Sequence, residues 1–389
     1  MDNKNVFVAI ALSMSVLLFW GAFVEKPESI KQVSPKQNQI EKKSNENNIS
    51  PTINNTLELK TISREDSIKN VKRVKIENSS IIGSIALKGG LIDDISFKNH
   101  KQDLRDKKNV IFLNPRETEN GFFVETGWTS IGNKIKVPSS NSIWSVKGNN
   151  ILTENQPLTM EWKNGEGITF KKIIKLDNKY LFNISQIVEN NTGALIELYP
   201  YAQITRNKIP DDIQNFYISH EGFIGVFDEE LKEDDYDDIK EKKISREASK
   251  GWLGITDKYW LSALVPKQGE SFKSTFLYKE SFKANYILNS PTIIKPSSNN
   301  SNDVRLFVAA KEVETIDAYA ANQNIEKFDL TIDWGWFYFF TKPLFFVIDY
   351  LFKISGNFGI AIVLITIGIR LLFFPLANYS FRSMAKMKA

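Results

Sequence analysis

Two apolar segments, one near each end of the chain, constrain its fold more than any other feature of the sequence. The first, residues 6–24, contains nineteen residues and no charge. At about 1.5 Å rise per residue, a helix of this length matches the ~30 Å hydrocarbon core of a bilayer. A cleaved signal peptide is the alternative, but the apolar stretch is long for one and no small-x-small cleavage site follows it. Residues 1–24 are therefore predicted to form an uncleaved signal-anchor helix.

The second segment, residues 358–376, carries a single charge, Arg370, among thirteen Leu, Ile, Val and Phe residues. On the membrane-insertion scale these apolar residues contribute about −4 to −8 kcal/mol, against about +3 kcal/mol for one arginine. A transmembrane helix over residues 357–377 is therefore predicted. An arginine inside hydrocarbon usually faces protein or water and takes part in function, which favours a functional charge in a groove. The alternative is that Arg370 snorkels toward the headgroups.

A third apolar segment, residues 334–354, has the pattern of an amphipathic helix. Its charged residues are spaced by seven and four positions, which places Lys342, Asp349 and Lys353 on one narrow stripe. Interfacial aromatic residues accompany them, namely Trp334, Trp336, Tyr338 and Tyr350. We expect this helix to lie in the plane of the membrane interface. A hairpin of two spanning helices is the alternative.

The orientation follows from the basic residues after the second segment. Arg382, Lys386 and Lys388 lie close to its C-terminal end, and positively charged flanks stay in the cytoplasm. With two crossings, the N-terminus is also cytoplasmic and the intervening residues are outside. The sequence thus predicts a multi-pass membrane protein with a large domain outside the cytoplasm.

Composition limits the remaining possibilities. Hydrophobic residues make up 42% of the chain and the mean hydropathy is −0.27, so most of it is not membrane-embedded. Residues 25–56 are polar and poor in large apolar side chains, which predicts a disordered tether; residues 291–303 have the composition of a second linker. Cysteine is absent, and His100 and His220 lack metal-ligand spacing. No metal site, no cofactor, no phosphate-binding loop and no nucleic-acid partner are expected.

The body, residues 57–330, is predicted to be mainly β. Gly89 and Gly90 separate two β-rich runs, and Asp177 and Asn178 separate two more, which predicts two hairpins. Further strands are expected at 194–201, 274–278 and 304–309, and a helix at 312–321. Successive strands without a repeating helix pattern favour a sandwich.

Catalysis in the body is not expected. The adjacent carboxylates Asp93 and Asp94, and likewise Asp211 and Asp212, are interpreted as turn residues, because neighbouring residues of a strand point to opposite faces. An aromatic run at 249–266 predicts either core packing or a ligand platform. Its large aromatic residues are Trp252, Tyr259 and Trp260.

Four motifs, in this order, carry a family resemblance: GWLGITDKYW, TIDWGWFYFFTKPLF, GNFGIAIVLITIGIRLLFFPL and SMAKMK. In layout, the whole chain resembles the N-terminal part of the YidC family of bacterial membrane protein insertases. The resemblance implies a periplasmic β super-sandwich related to sugar-binding, mutarotase-like folds, and it makes Arg370 the groove arginine. Residues 378–389 would open a cytoplasmic helical hairpin that contains Arg382, Met384, Lys386, Met387 and Lys388. Family members continue through four more membrane helices beyond the position of Ala389.

The function implied by the resemblance is that of an insertase and chaperone rather than an enzyme. Such a protein would insert nascent membrane proteins into the bilayer, alone or with the ribosome and the Sec translocon (SecYEG and SecDF), and would act as a monomer without a cofactor. The residues alone leave two alternatives open: a membrane-anchored periplasmic carbohydrate-binding protein and a structural scaffold of the envelope.

Overall fold

The computed structural model describes residues 61–103, 107–211, 213, 219–335 and 337–388. The predicted signal anchor and tether, and the side chains of Trp336, Lys386, Met387 and Lys388, lie outside this description. The strands are β1 (Arg73–Glu77), β2 (Ile81–Ala86), β3 (Leu91–Lys101), β4 (Asn109–Leu113), β5 (Phe122–Thr129), β6 (Ser145–Lys147), β7 (Ile151–Leu152), β8 (Leu158–Lys163), β9 (Ile168–Leu176), β10 (Leu181–Asn190), β11 (Ile196–Arg206), β12 (Gly222–Phe227), β13 (Glu230–Asp234), β14 (Ile244–Ala248), β15 (Gly251–Thr256), β16 (Trp260–Val265), β17 (Phe272–Lys279), β18 (Ser281–Leu288), β19 (Thr292–Ile294) and β20 (Ser298–Ala310). The α-helices are α1 (Arg64–Asn70), α2 (Tyr236–Glu241), α3 (Val313–Asn322), α4 (Tyr338–Ser355) and α5 (Phe358–Lys388).

Within the described residues, the strands form two large sheets. One has eleven strands in the order β14-β17-β18-β11-β5-β3-β2-β1-β7, with β4 beside β3 and β19 beside β11; the other has nine in the order β13-β12-β15-β16-β20-β10-β9-β8-β6. The larger cluster of buried apolar side chains draws on both sheets, with Phe97 and Leu113 from the first and Phe170 and Leu306 from the second. The predicted mainly β sandwich is confirmed.

Both predicted hairpins are confirmed. Gly89 and Gly90 adopt positive φ angles of 77° and 64° between the antiparallel strands β2 and β3, a conformation that glycine adopts without the strain of a side chain. In the second hairpin, between β9 and β10, the Asp177 carboxylate accepts the N–H groups of Lys179 (2.9 Å) and Leu181 (3.0 Å). Local side-chain chemistry therefore sets both turns.

The prediction of a linker at residues 291–303 is wrong. This segment forms β19 and the first half of β20, which pairs with β10 so that Asn302 lies opposite Gln186. Its polar side chains are mostly exposed, and the backbone hydrogen bonds come from a strand more than a hundred residues earlier. Composition indicates which side chains can face water, but it does not reveal a distant pairing partner.

The interpretation of Asp93 and Asp94 as turn residues is also wrong. Both lie within β3 and are buried, and both pair with an arginine: Asp93 with Arg73 and Asp94 with Arg64. A bulge opposite Ser84 and the residue after it makes Asp93 the extra residue of the strand. Because a bulge interrupts the alternation of side-chain direction, adjacent carboxylates can be buried in the same region of the structure.

Three helices lead from the body to the C-terminal end of the chain. Helix α3 corresponds to the helix predicted at 312–321. Helix α4 begins at Tyr338, four residues after the predicted start, and ends at Ser355. The next residue, Gly356, has a φ of 65°, the left-handed conformation common after a helix. The Asn357 side chain then accepts the N–H of Ile360 (3.2 Å) at the start of α5. Helix α5 is continuous through residues 377 and 378.

Candidate membrane-proximal site

The polar stripe of α4 contacts the body of the protein. Lys342 Nζ donates hydrogen bonds to Asp317 Oδ1 on α3 (2.9 Å) and to Asp329 Oδ2 in the short 3-10 helix after it (3.3 Å). It also lies 5.8 Å from the centre of the Trp334 ring. Partial burial lowers the pKa of Lys342, but the bonds and charges of Asp317 and Asp329 outweigh burial and raise it. The lysine is therefore charged at neutral pH and holds α4 against the body.

A second ion pair acts at the other end of the stripe. Lys353 Nζ lies 2.6 Å from Glu314 Oε1 on α3 and 2.8 Å from Asp349 Oδ2 on its own helix. The three charged residues therefore share one face of α4, as their spacing predicts. That face is directed at an acidic side of α3, which the sequence analysis did not identify. The spacing of Glu314 and Asp317, three residues apart on a helix, is the signal that was available.

Much of the remaining surface of α4 is apolar and exposed in the described part of the chain. None of its residues is buried. Its exposed large apolar side chains are Tyr338, Phe339, Phe340, Phe346, Val347, Tyr350, Phe352 and Ile354. Soluble monomers rarely expose a continuous apolar surface of this kind, and such a surface marks an interaction with a membrane or a protein.

Helix α5 has the length and composition of a membrane-spanning helix. The stretch Phe358–Arg382 is the one helical segment within the described ranges that passes this test. Ala361 and Ile365 are buried, and the rings of Phe352 and Phe358 lie 5.9 Å apart where α4 meets α5. The remaining apolar side chains of α5 are mostly exposed.

Arg370 is exposed on α5. It lies twelve residues after Phe358, or roughly 18 Å along the helix axis. Across the residues that the structure describes, no carboxylate or other polar group pairs with it. Arg382 and Met384 are also exposed on the same helix. Arg370 and the stripe of α4 are thus distinct features, one on the apolar helix and one against the body.

The aromatic run at 249–266 contains both a core residue and residues that line a cleft. Trp252 is fully buried, packs 5.4 Å from the Phe328 ring and donates its indole N–H to Glu326 O (3.1 Å). It is a core residue. Tyr259 is 59% exposed and Trp260 is half-buried, and both line a cleft of the sandwich.

Comparison with known proteins agrees with these features. The family model described as the YidC periplasmic domain matches residues 73–347. The chain belongs to the YidC family. Among its relatives, the membrane protein insertase YidC of Pelagibacter ubique is 45% identical over 100% of this chain and 69% of its own length. The membrane protein insertase YidC of Rickettsia prowazekii is 40% identical over 100% and 70%, respectively. The resemblance inferred from the motifs is confirmed.

Solved structures similar to the chain include sugar-related proteins. A galactose mutarotase related enzyme from Lactobacillus acidophilus has 12% identity and a TM-score of 0.45, covering 61% of this chain and 98% of its own. A galactose mutarotase-like protein from Clostridium acetobutylicum has 13% identity and a TM-score of 0.42, covering 62% and 96%.

Proposed function

We propose that this protein inserts other proteins into the bacterial inner membrane and that Arg370 is the charge which receives them. The observation that carries the proposal is an exposed arginine, without a partner in the described ranges, on a helix apolar enough to span the bilayer. Membership of a family whose curated relatives are named membrane protein insertase supports the same function. In this proposal Arg370 lies in a hydrated groove, closed toward the periplasm.

The energetics explain why one positive charge is useful there. An acidic residue at the centre of a bilayer costs about 3 kcal/mol on the insertion scale. A guanidinium in a hydrated groove offsets this cost, because it offers a charged hydrogen-bond donor halfway across. The membrane potential then favours outward movement of each negative charge by about 2.3 kcal/mol per 100 mV. Finally, the apolar helix of the substrate gains about 25 cal/mol per Å² as it leaves water for lipid.

Helix α4 has a supporting role in the proposal. Its exposed aromatic face enters the periplasmic side of the membrane interface, where an amphipathic helix is stable. Its charged face is attached to α3 through the pairs of Lys342 and Lys353. The body is thereby held close to the membrane surface at a defined angle. In this proposal the body lies in the periplasm, and the signal anchor of residues 1–24 and the tether of residues 25–56 lead to it from a cytoplasmic N-terminus.

Partners follow from the same mechanism. Nascent membrane proteins are the substrates, and the protein acts as a monomer, either alone or with the ribosome and the Sec translocon. The continuation of α5 beyond Arg382 carries two lysines in its sequence, Lys386 and Lys388, which suits a cytoplasmic contact with the substrate as it leaves the ribosome. No nucleotide is needed, because hydrophobic transfer and the membrane potential supply the free energy.

The test uses cells in which this protein replaces the resident insertase. The substrate is a single-span protein with a short N-terminal tail that carries aspartates, and a matched substrate has asparagines instead. Protease added from the periplasmic side cleaves a tail only after it has crossed. Arg370→Ala is expected to lower insertion of the acidic tail about tenfold, the equivalent of one charge-assisted hydrogen bond. The neutral tail should be affected much less.

Two further variants make the test specific. Arg370→Lys should retain part of the activity, because it keeps the charge and loses only the fork geometry of the guanidinium. Arg382→Ala removes an exposed arginine from the same helix and should insert both tails normally. Equal insertion of the two tails by Arg370→Ala at wild-type level would refute the proposed role of the charge.

A further inference from the structure

The hairpin between β3 and β4 is strongly basic, and the insertion step at Arg370 does not use it. Residues 98–103 and 107–108, termed the basic hairpin, lie where β3 ends and β4 begins. The two strands are antiparallel, and the Gln102 N–H donates to Lys108 O (3.0 Å). The backbone therefore holds the two sides of the hairpin together beyond the end of β3.

The basic hairpin has an excess of positive charge. Its charged residues are four lysines and one carboxylate, namely Lys98, Lys101, Lys107, Lys108 and Asp103. Lys98 Nζ lies 3.4 Å from Glu77 Oε1, which partly neutralises it. Lys101 and Lys107 are exposed, and neither forms an ion pair with a carboxylate among the residues that the structure describes. Lys101 bonds instead to the neutral side chain of Asn109.

Helix α3 brings the basic hairpin close to the C-terminal end of α4. His100 Nε2 lies 3.3 Å from Oε1 of Glu312, the residue that precedes the first turn of α3. Two residues further along the chain, Glu314 Oε1 lies 2.6 Å from Lys353 Nζ near the end of α4. Because the same end of α3 contacts both elements, the hairpin lies beside the point where α4 ends and α5 begins.

The distances allow the lysines to act on a membrane that covers the apolar surface of α4. A helix is about 10 Å in diameter, so such a membrane surface lies roughly that far from the start of α3. Residues 101–103 continue past His100 and span up to about 10 Å when extended. The Debye length is about 8 Å at physiological ionic strength. The charges of the hairpin are therefore felt at the membrane surface.

The carboxylates of α3 closest to the hairpin have basic partners of their own. Glu312 is contacted by His100 and by Lys179 Nζ (3.5 Å), and Glu314 by Lys353. Their repulsion of an anionic surface is reduced by these contacts. The exposed lysines of the hairpin thus determine the sign of the charge at this edge of the body.

The side chains of the basic hairpin favour a lipid surface over a folded protein partner. All of its described residues are polar or charged. The centre of a protein interface is instead rich in aromatic residues and poor in lysine. A lysine carries a compact charge on a flexible stem, which suits headgroup phosphates that move laterally and present no fixed shape.

We propose that the basic hairpin binds anionic phospholipid headgroups beside α4. This inference rests on the placement of α4 in the membrane interface, as in the proposed function. A single interfacial helix leaves the body free to rotate about the axis of that helix. The basic hairpin supplies a second contact to one side of the axis, so the orientation of the body over the membrane depends on lipid charge.

The test measures how close the basic hairpin comes to lipid headgroups. The chain has no cysteine, so Gln102→Cys gives the full chain one site for a fluorophore. The protein is placed in nanodiscs of phosphatidylcholine, either alone or mixed with phosphatidylglycerol, and both contain the same fraction of a lipid whose headgroup carries a quenching nitroxide. Quenching should be at least about twofold stronger in the anionic nanodiscs, because each lysine near such a surface favours contact about fivefold. The difference should disappear at about 1 M salt, where the Debye length is about 3 Å.

Two double variants identify the charges responsible. Lys101→Gln combined with Lys107→Gln should remove most of the difference between the two lipid compositions. Lys147→Gln combined with Lys163→Gln is the matched control, because it removes two exposed lysines from β6 and β8 of the other sheet. This control should respond to phosphatidylglycerol as the wild type does.

A second label separates the hairpin from the placement of α4. Val347→Cys carries the fluorophore on the exposed apolar surface of α4 and should be quenched in both lipid compositions. A quenched Val347→Cys label together with equal quenching of the Gln102→Cys label in neutral and anionic nanodiscs would overturn the hairpin proposal alone. So would an undiminished response of the Lys101→Gln and Lys107→Gln double variant. An unquenched Val347→Cys label would contradict the interfacial position of α4, and both proposals would fail.

Discussion

Lys172 is a lysine in the core of the sandwich, and its replacement should change how stability depends on pH. It is 3% exposed and occupies an inward position of β9 between Phe170 and Ile174. Its ammonium group donates to Thr126 O (2.7 Å) and Gly90 O (3.5 Å) and lies 4.8 Å from the centre of the Trp144 ring. Burial lowers the pKa of Lys172 to about 8, with the charge of Glu125 acting in the opposite direction.

The sign and size of the effect follow from proton binding. The lysine of the unfolded chain keeps its proton up to about pH 10.4, whereas the folded protein releases it near pH 8. Between these values the unfolded state binds more protons, so the free energy of unfolding rises with pH. For one group with this shift, the rise from about pH 8 to about pH 10 is about 2 kcal/mol. Lys172→Met should abolish this contribution.

The assay is urea unfolding of the full chain in detergent, followed by tryptophan fluorescence over this pH range. The difference between the wild type and Lys172→Met isolates one residue, because Lys311, whose pKa burial also lowers to about 8, is present in both. Lys175→Met is the matched control, since Lys175 lies on the same strand but is exposed. It should follow the wild-type profile.

For Lys172→Met, the change in the free energy of unfolding with pH is more informative than its absolute value at neutral pH. Methionine removes a buried charge, but it also takes the ammonium donor away from the Thr126 carbonyl and removes one of the cations near Glu125, and these effects oppose each other. Parallel profiles for the wild type and Lys172→Met, within about 0.5 kcal/mol at every pH, would show that this lysine keeps its proton or is solvated.

Two further substitutions test the packing of the body by the same unfolding assay. Trp252→Ala removes a fully buried indole and should lower the free energy of unfolding by about 3–5 kcal/mol; a loss below about 1 kcal/mol would contradict its place in the core. Asn78→Ala removes an amide that donates to Asp177 O (2.8 Å) and Lys179 O (2.9 Å) and accepts from two backbone N–H groups. It should cost about 2 kcal/mol, and an unchanged midpoint would mean that water replaces these bonds.

Much of the fold could be predicted because it depends on neighbouring residues. Gly89 and Gly90 permit a tight turn wherever they occur, and alternation of apolar residues selects the buried face of β9 and β10. The same alternation places Lys172 on the apolar face, although the sequence analysis did not single it out. The length of the apolar segment identified α5. The spacing of the charged residues in α4 predicted that they share one face of that helix.

The contacts of α4 and the cleft of the body were harder to predict, because the residues that form them are distant from one another in the chain. Spacing shows that Lys342 and Lys353 share a face, but it does not show that α3 turns Asp317 and Glu314 toward them. The cleft is likewise assembled from strands that are adjacent only after folding.

The sequence by itself thus determined the β-sandwich, the apolar helix with its single arginine, and membership of the family, because periodicity, turn chemistry and length act over a few residues. Only the tertiary structure decided that the lysines of α4 form ion pairs with the body, that Asp93 and Asp94 are buried beside arginines, and that Tyr259 lines a cleft. The physical reason is that a buried ion pair or a binding surface requires groups from remote segments to meet. Those meetings depend on strand pairing, bulges and helix packing in the whole molecule.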